Sequence, residues 1–338
     1  MKNLYHSDIY KFDTPVSSYW EDTSSENLQI DKLTKDINSE IVVIGGGYTG
    51  LLCAINLIEN HNLDVILVEA GKIGWGASSR NAGFNCLPPS KMSFKQMQSI
   101  YGMEETKKFF KNSVEGSNHT KDIIKEYNID CDVSGDSSYV VAHHKNKFEQ
   151  IKEQAEVYKS EFDIETKIYS KEEFDEIGHG GTEQYGAFSY KPAFAINPLK
   201  FVNGIAKHAL SKKLKIFEHT KVDKVNKENG SYVLETKEGS IRSKKIVVAT
   251  NGFYQDGLIP QMDGRVLPVI SNVIVTRKLN EDELNAHNFK TFSPVVNTKN
   301  LLCYYRKLPD NRILFGTRGD LTGSDQSNLA MSKRWKSF

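Results

Sequence analysis

Four residues in the first quarter of the chain have the type and spacing to hold a dinucleotide: Gly45, Gly47, Gly50 and Glu69. The glycines sit in "IVVIGGGYTGLLCAINL", where a short apolar run turns directly into a helical stretch. In such a GxGxxG corner the first glycine permits a tight turn and the second lets main chain approach a pyrophosphate. The third lets the helix pack closely on the strand. The helix start adds unpaired N–H groups and the positive end of its dipole. Glu69 closes a second apolar run, "LDVILVEAG", at the place where a carboxylate can accept hydrogen bonds from ribose hydroxyls. It would also repel the extra phosphate of NADP. Strand, helix, strand and terminal acid agree, so the corner reads as dinucleotide-binding rather than as a plain turn.

The elements that must position these groups follow from patterning. Near-continuous apolar strands at "IVVIG" and "LDVILVEAG", with a helix over 48–60 between them, predict a parallel sheet covered on both faces. Helix-like spacing of Phe109, Phe110, Val114, Ile123, Ile124 and Tyr127 predicts a helix over 104–127, with an interruption at Gly116–Ser117. Asn197 is suited to cap a helix that starts with Pro198 and runs to about Leu210. "NG" at 229–230 signals a hairpin, and "PDNR" a turn between two late strands. The final third alternates like an antiparallel sheet. The polar segment 1–38 reads as an arm that packs Tyr19 and Trp20 on the body.

Composition bounds the function classes. The 338 residues are 38% hydrophobic and 26% charged, and 44 basic residues nearly cancel 43 acidic ones. No global field steers the chain to nucleic acid, and no basic–aromatic stripe appears. No apolar run reaches the length of a membrane helix, and the N-terminus lacks an apolar signal core, so a cytoplasmic protein is expected. The four cysteines form no CxxC pair and read as reduced thiols, and no metal-ligand spacing is present. His143 and His144, as strand neighbours, would point oppositely.

After Glu69 comes "GWGASSRNAGF", small residues that let main chain approach a ligand, with Trp75, Arg80, Asn81 and Phe84 interleaved. Together "VIGGGYTGLLCAINL", "VILVEAGKIGWGASSRNAGF", "INPLKFVNGIA" and "IVVATNGF" resemble the FAD-dependent D-amino-acid oxidase superfamily, in its glycine oxidase and gamma-glutamylputrescine oxidoreductase branch. The resemblance implies an α/β (α+β overall) fold: a Rossmann-like FAD-binding domain at 39–100 and 191–262, and an antiparallel-sheet substrate domain at 101–190 and 263–338. It implies that Gly45, Gly47 and Gly50 hold the pyrophosphate and Glu69 the ribose. Ser78, Ser79, Arg80, Asn81 and Ala82 would line the path to the flavin. Val222 would meet adenine through its backbone, and Ala249, Thr250, Asn251 and Gly252 would pass close to the cofactor.

The implied reaction is oxidation of a C–N bond in a small amine or amino acid, with oxygen or another acceptor taking the electrons from the flavin. Tyr304 and Arg306 share a strand face, with Tyr305 opposite, and Arg306 or Arg318 could clamp a substrate carboxylate. Members of the family continue past "FGTRG" into a glycine-rich strand-to-helix turn at the flavin's pyrimidine side, with no counterpart before Phe338. Weak FAD retention is therefore expected. Two alternatives stay open: a truncated, non-catalytic remnant, and a flavoenzyme of different chemistry on the same scaffold.

Overall fold

In the computed structural model, residues 6–15, 17–24, 28–87, 92–267, 269–319, 330 and 333 are described. The arm enters with a short helix, α1 (Tyr19–Asp22), closed by a Ser18–Glu21 capping box, and buries Trp20. β1 (Ile37–Ile44), α2 (Tyr48–His61) and β2 (Val65–Val68) form the expected strand–helix–strand unit. A two-residue strand, β3 (Phe84–Asn85), leads to the long α3 (Phe94–Glu126). Then come β4 (Ser138–Val141), α4 (Lys145–Phe162), β5 (Glu165–Tyr169), α5 (Lys171–Ile177), β6 (Ala187–Lys191) and β7 (Phe194–Ala195).

α6 (Pro198–Ser211) begins where the cap predicts: the Asn197 side chain accepts from the N–H groups of Leu199 and Lys200 at 3.2 Å. β8 (Lys215–Phe217), β9 (Val222–Glu228), β10 (Ser231–Thr236) and β11 (Ser240–Val248) follow. Asn229 and Gly230 both have positive φ, 49° and 80°, as a two-residue hairpin turn between β9 and β10 demands. The last third holds β12 (Ser271–Val275), α7 (Glu281–Ala286), β13 (Val295–Asn297), β14 (Tyr304–Lys307) and β15 (Ile313–Arg318).

Two sheets organise these elements. The first runs β8-β2-β1-β11-β10-β9, parallel from β8 to β11 and antiparallel beyond. Its central strands are buried on both faces, which is why their sequences are continuously apolar. Val43, Val65 and Leu67 pack with Leu51, Ile55, Val202 and Ile205 of α2 and α6. Val42, Ile44, Ile66 and Val68 pack on the other face with Leu234, Ile241 and Tyr254. The second sheet runs β12-β15-β14-β13-β4-β6-β5 and is antiparallel except between β13 and β4. It joins strands from residues 138–191 to strands from 271–318, and α3 and α4 cover it through Phe110, Ile151 and Tyr158.

Two sequence expectations shift. α3 is interrupted at Gly102 (φ 79°) rather than at Gly116–Ser117. The Ser117 hydroxyl is satisfied where α3 crosses β3, accepting from Asn85 Nδ2 at 3.0 Å, and the helix continues. His143 and His144 lie in the turn after β4, not on the strand, and His144 caps α4. All four cysteines are free. Among the described residues no helix is long and apolar enough to cross a membrane, and no side-chain cluster could hold a metal ion.

Candidate cofactor and substrate site

The glycine corner lies between the end of β1 and the start of α2. Gly45 has φ 115°, and a Cβ there would sit 2.5 Å from the Ala249 carbonyl oxygen at the end of β11. A Cβ on Gly50 would overlap the carbonyl oxygen of Gly45, so helix and strand approach at backbone distance. Gly47 caps α2 without a side chain, and Ser78 Oγ accepts the Tyr48 N–H at 3.2 Å. Gly46, which the GxGxxG pattern leaves unspecified, is equally constrained: a Cβ there would lie 2.5 Å from Ile73 and 3.1 Å from the Glu69 side chain.

Glu69 is tied to both ends of the turn it faces. One carboxylate oxygen accepts the Gly46 N–H at 2.6 Å and the other the Gly71 N–H at 2.9 Å. Burial pushes its pKa up, while these backbone donors pull it back. A second buried acid, Glu218, accepts the Ile73 N–H at 2.6 Å and so fixes the loop that follows Glu69. Only tertiary pairing reveals it; its sequence neighbourhood is an ordinary polar stretch.

Two adjoining cavities open from this corner. The smaller, about 690 Å³, is lined by Gly45, Gly47, Glu69 and Ser78 on one side and by Val222, Ala249 and Thr250 on the other. The larger, about 1200 Å³, is lined by Arg80, Asn81, Ala82 and Gly252 and by the sheet residues Val273, Val296 and Tyr304. Tyr48, Trp75, Ala77, Asn251 and Phe253 line both, so the two cavities share a wall. An aromatic cluster stands at that wall: Phe12 of the arm packs edge-on against Trp75 at 4.9 Å, and Trp75 against Phe253 at 5.5 Å. No sequence signal singled out Phe12, whose partners are distant along the chain.

The loop after Glu69 divides its labour. Asn81 staples it, donating Nδ2 to the Ala77 carbonyl at 3.1 Å and accepting the Gly83 N–H at 2.7 Å. Ser79 is buried and lines neither cavity, whereas Ala82 packs with Trp20, Leu308 and Leu314. Arg80 lies over the Trp75 ring at 4.2 Å. Tyr304 exchanges a 2.7 Å hydrogen bond with Ser271 and packs its ring against Phe84.

Arg306 stands behind this wall. It is 2% exposed, donates Nη2 to the Ile196 carbonyl at 2.7 Å, and its guanidinium lies 5.3 Å from the Trp20 ring. It lines neither cavity, so its position does not support the carboxylate clamp. Arg318 ends β15, and its side chain lies outside the described residues.

A small cavity whose floor is glycine backbone, whose rim carries an acid and whose far wall is a strand end fits the adenosine diphosphate part of a dinucleotide. The larger, mostly apolar cavity beside it leaves room for a planar ring and a substrate. A profile of the family described as "FAD dependent oxidoreductase" (DAO) matches residues 40–334. The chain belongs to this family. Its cofactor is FAD. A relative, gamma-glutamylputrescine oxidoreductase of Escherichia coli K12, is 28% identical over 327 residues, 96% of this chain and 75% of that one. A probable oxidoreductase of Haemophilus influenzae, OrdL, is 25% identical over 91% of this chain and 71% of its own length. Among solved structures, glycine oxidase from Geobacillus kaustophilus superposes with a TM-score of 0.62 at 16% identity, covering 87% of this chain and 77% of its own. The shared fold is thus that of FAD-binding oxidoreductases.

Proposed function

We propose that this flavoprotein oxidises the C–N bond of an amine or amino acid. The observation that carries the reading is the wall the two cavities share at Trp75, which sets a dinucleotide corner beside a largely apolar chamber faced by Tyr304. The 28% identity to gamma-glutamylputrescine oxidoreductase supports a C–N substrate.

In this reading the first sheet, with residues 39–100 and 191–262, holds the cofactor, and the second sheet forms the substrate wall. Gly45, Gly47 and Gly50 let the main chain meet the pyrophosphate, and Glu69 accepts from the ribose hydroxyls. Val222, Ala249, Thr250, Asn251 and Gly252 close the opposite side. When bound, FAD supplies a two-electron acceptor for the hydride that leaves the substrate carbon, and water hydrolyses the resulting imine. The chain's own contribution is positional. Ser78 and the α2 N-terminus fix the corner, Asn81 holds the loop between the two cavities, and Val273, Val296 and Tyr304 of β12 to β14 wall the chamber. Burial pushes the Tyr304 hydroxyl pKa up, so it stays protonated at neutral pH and serves as a hydrogen-bonding group.

The test is spectroscopic. The purified chain, loaded with FAD, is mixed without oxygen with amines, amino acids and the matching alcohols. Bleaching of the flavin band by amines or amino acids alone is expected. Bleaching by alcohols instead would move the reading to C–O oxidation, and a flavin that nothing bleaches would leave only cofactor binding.

A further inference from the structure

The outer wall of both cavities includes a stretch of the arm that belongs to neither sheet. Of residues 8–15, Phe12 lines the smaller cavity, and Asp8, Ile9, Lys11, Thr14 and Pro15 line the larger one. None of residues 6–15 is buried, so this stretch lies between the cavities and solvent. Its main-chain hydrogen bonds turn back on itself: Ile9 donates to His6, Lys11 to Asp8 and Thr14 to Lys11. Side-chain contacts tie it to the body. The Phe12 ring packs edge-on against Trp75 at 4.9 Å and against Phe253 at 6.3 Å. Trp75 Nε1 donates to the Thr14 carbonyl at 3.0 Å, and Asp13 accepts from His219 Nδ1 at 3.2 Å. A glycine shows how closely the stretch is laid down. A Cβ on Gly71 would lie 2.9 Å from the Phe12 carbonyl oxygen and 2.9 Å from the Trp75 ring. The Gly71 N–H is a donor to Glu69, so the stretch rests on the ribose end of the site.

We infer that residues 8–15 form a strap that must lift for FAD to enter or leave, with Phe12 as its latch. Raising it breaks no strand pairing and exposes no buried residue, which is what a segment that opens at low cost requires. The next piece of the arm is built differently. Trp20 of α1 is buried, and its Nε1 donates to the Asn81 carbonyl at 3.0 Å. α1 therefore anchors the arm to the loop between the cavities, and the strap moves relative to that anchor. Phe12 is placed to latch it, because its two aromatic partners, Trp75 and Phe253, each line both cavities. Asp13 and His219 line neither cavity, so their bond bears on the cofactor only through the strap. The inference rests on FAD being the cofactor and is independent of which substrate bond is oxidised.

The experiment times cofactor exchange in the full wild-type chain and in Phe12→Ala, Phe12→Tyr and Asp13→Ala. Uptake of FAD by the flavin-free chain is followed by stopped-flow fluorescence, and release by dilution of the loaded chain. Phe12→Ala should speed uptake and release alike, each by about tenfold, the order expected for losing two edge-on aromatic contacts. A strap that opens alike with and without FAD leaves the affinity within about threefold of wild type. Phe12→Tyr keeps the ring and should exchange as wild type does. Asp13→Ala should speed both steps by about twofold to fivefold. Urea midpoints should match across the set, because neither altered side chain is buried. Unchanged rates in Phe12→Ala or in Asp13→Ala would overturn the inference. Faster release with unchanged uptake would overturn it too, since Phe12 would then be a wall contact of bound FAD and not a latch. No readout depends on turnover, so a chain bleached by no amine refutes the proposed reaction and still tests the strap.

Discussion

The glycine corner and the β14 face are built on opposite principles. At the corner, function rests on main chain: a Cβ on Gly45 or Gly50 would meet a backbone carbonyl, and one on Gly46 would meet the side chains of Ile73 and Glu69. On the β14 face it rests on side chains, and their roles depend on which neighbours fill the space around them. Tyr304 reaches the cavity, Tyr305 packs with His179 and Phe315, and Arg306 is sealed beneath Trp20. Backbone constraints are local and rigid, whereas side-chain roles are set by tertiary packing. The two regions should therefore respond differently to substitution.

The largest effect is expected at the corner. Gly50→Val places a branched side chain on the Gly45 carbonyl and should abolish FAD binding, with a stability loss of roughly 3 kcal/mol or more. Urea unfolding and flavin absorbance after gel filtration measure both. Next is Arg306→Ala, which empties a buried site and leaves the Ile196 carbonyl without its donor. It should cost about 2–3 kcal/mol in urea unfolding while leaving the adenosine end of the site intact. A loss of FAD affinity without a loss of stability would break the contrast, because it would put Arg306 in the binding machinery.

A smaller, pH-dependent effect belongs to His179. Its Nε2 meets the Tyr305 hydroxyl at 2.8 Å, its Nδ1 donates to the Gly180 carbonyl, and burial pushes its pKa below 6.5. As pH falls below 6.5 the unfolded chain takes up a proton that the folded chain refuses, so stability declines until the folded pKa is passed. The slope is at most about 1.4 kcal/mol per pH unit. Urea midpoints across this window should flatten in His179→Phe, which is less stable at every pH. The smallest change is Tyr304→Phe. It removes one bond to Ser271 and should shift stability by about 0.5–1 kcal/mol, with FAD binding unchanged.

The same contrast explains what the sequence makes legible. The close approach of Gly50 to Gly45, the Asn197–Pro198 helix start and the Asn229–Gly230 turn are each set by groups within a few residues, and these, like the terminal acid Glu69, stand where their patterns place them. Ser18 and Glu21 cap α1 by the same local logic. Gly46, Glu218, Phe12 and the burial of Arg306 depend on partners far along the chain, and no periodicity encodes them. Gly116–Ser117 shows the reverse case: a helix-weakening pair sits inside unbroken helix, with the Ser117 hydroxyl accepting from Asn85, and the break falls at Gly102, whose Cβ position is open and whose φ only glycine tolerates readily. Strand alternation did separate Tyr304 and Arg306 from Tyr305, but it cannot say whether a face meets a cavity or a core.

The central claim, that the corner between β1 and α2 with Glu69 holds the adenosine diphosphate half of FAD, is tested most directly by competition. The purified chain is titrated with FAD, following flavin fluorescence, in the presence and absence of ADP and of riboflavin. Displacement of FAD by ADP, lost together with FAD binding in Gly50→Val, is the expected result. FAD that binds undisturbed by ADP, or that binds equally well to Gly50→Val, would contradict the account.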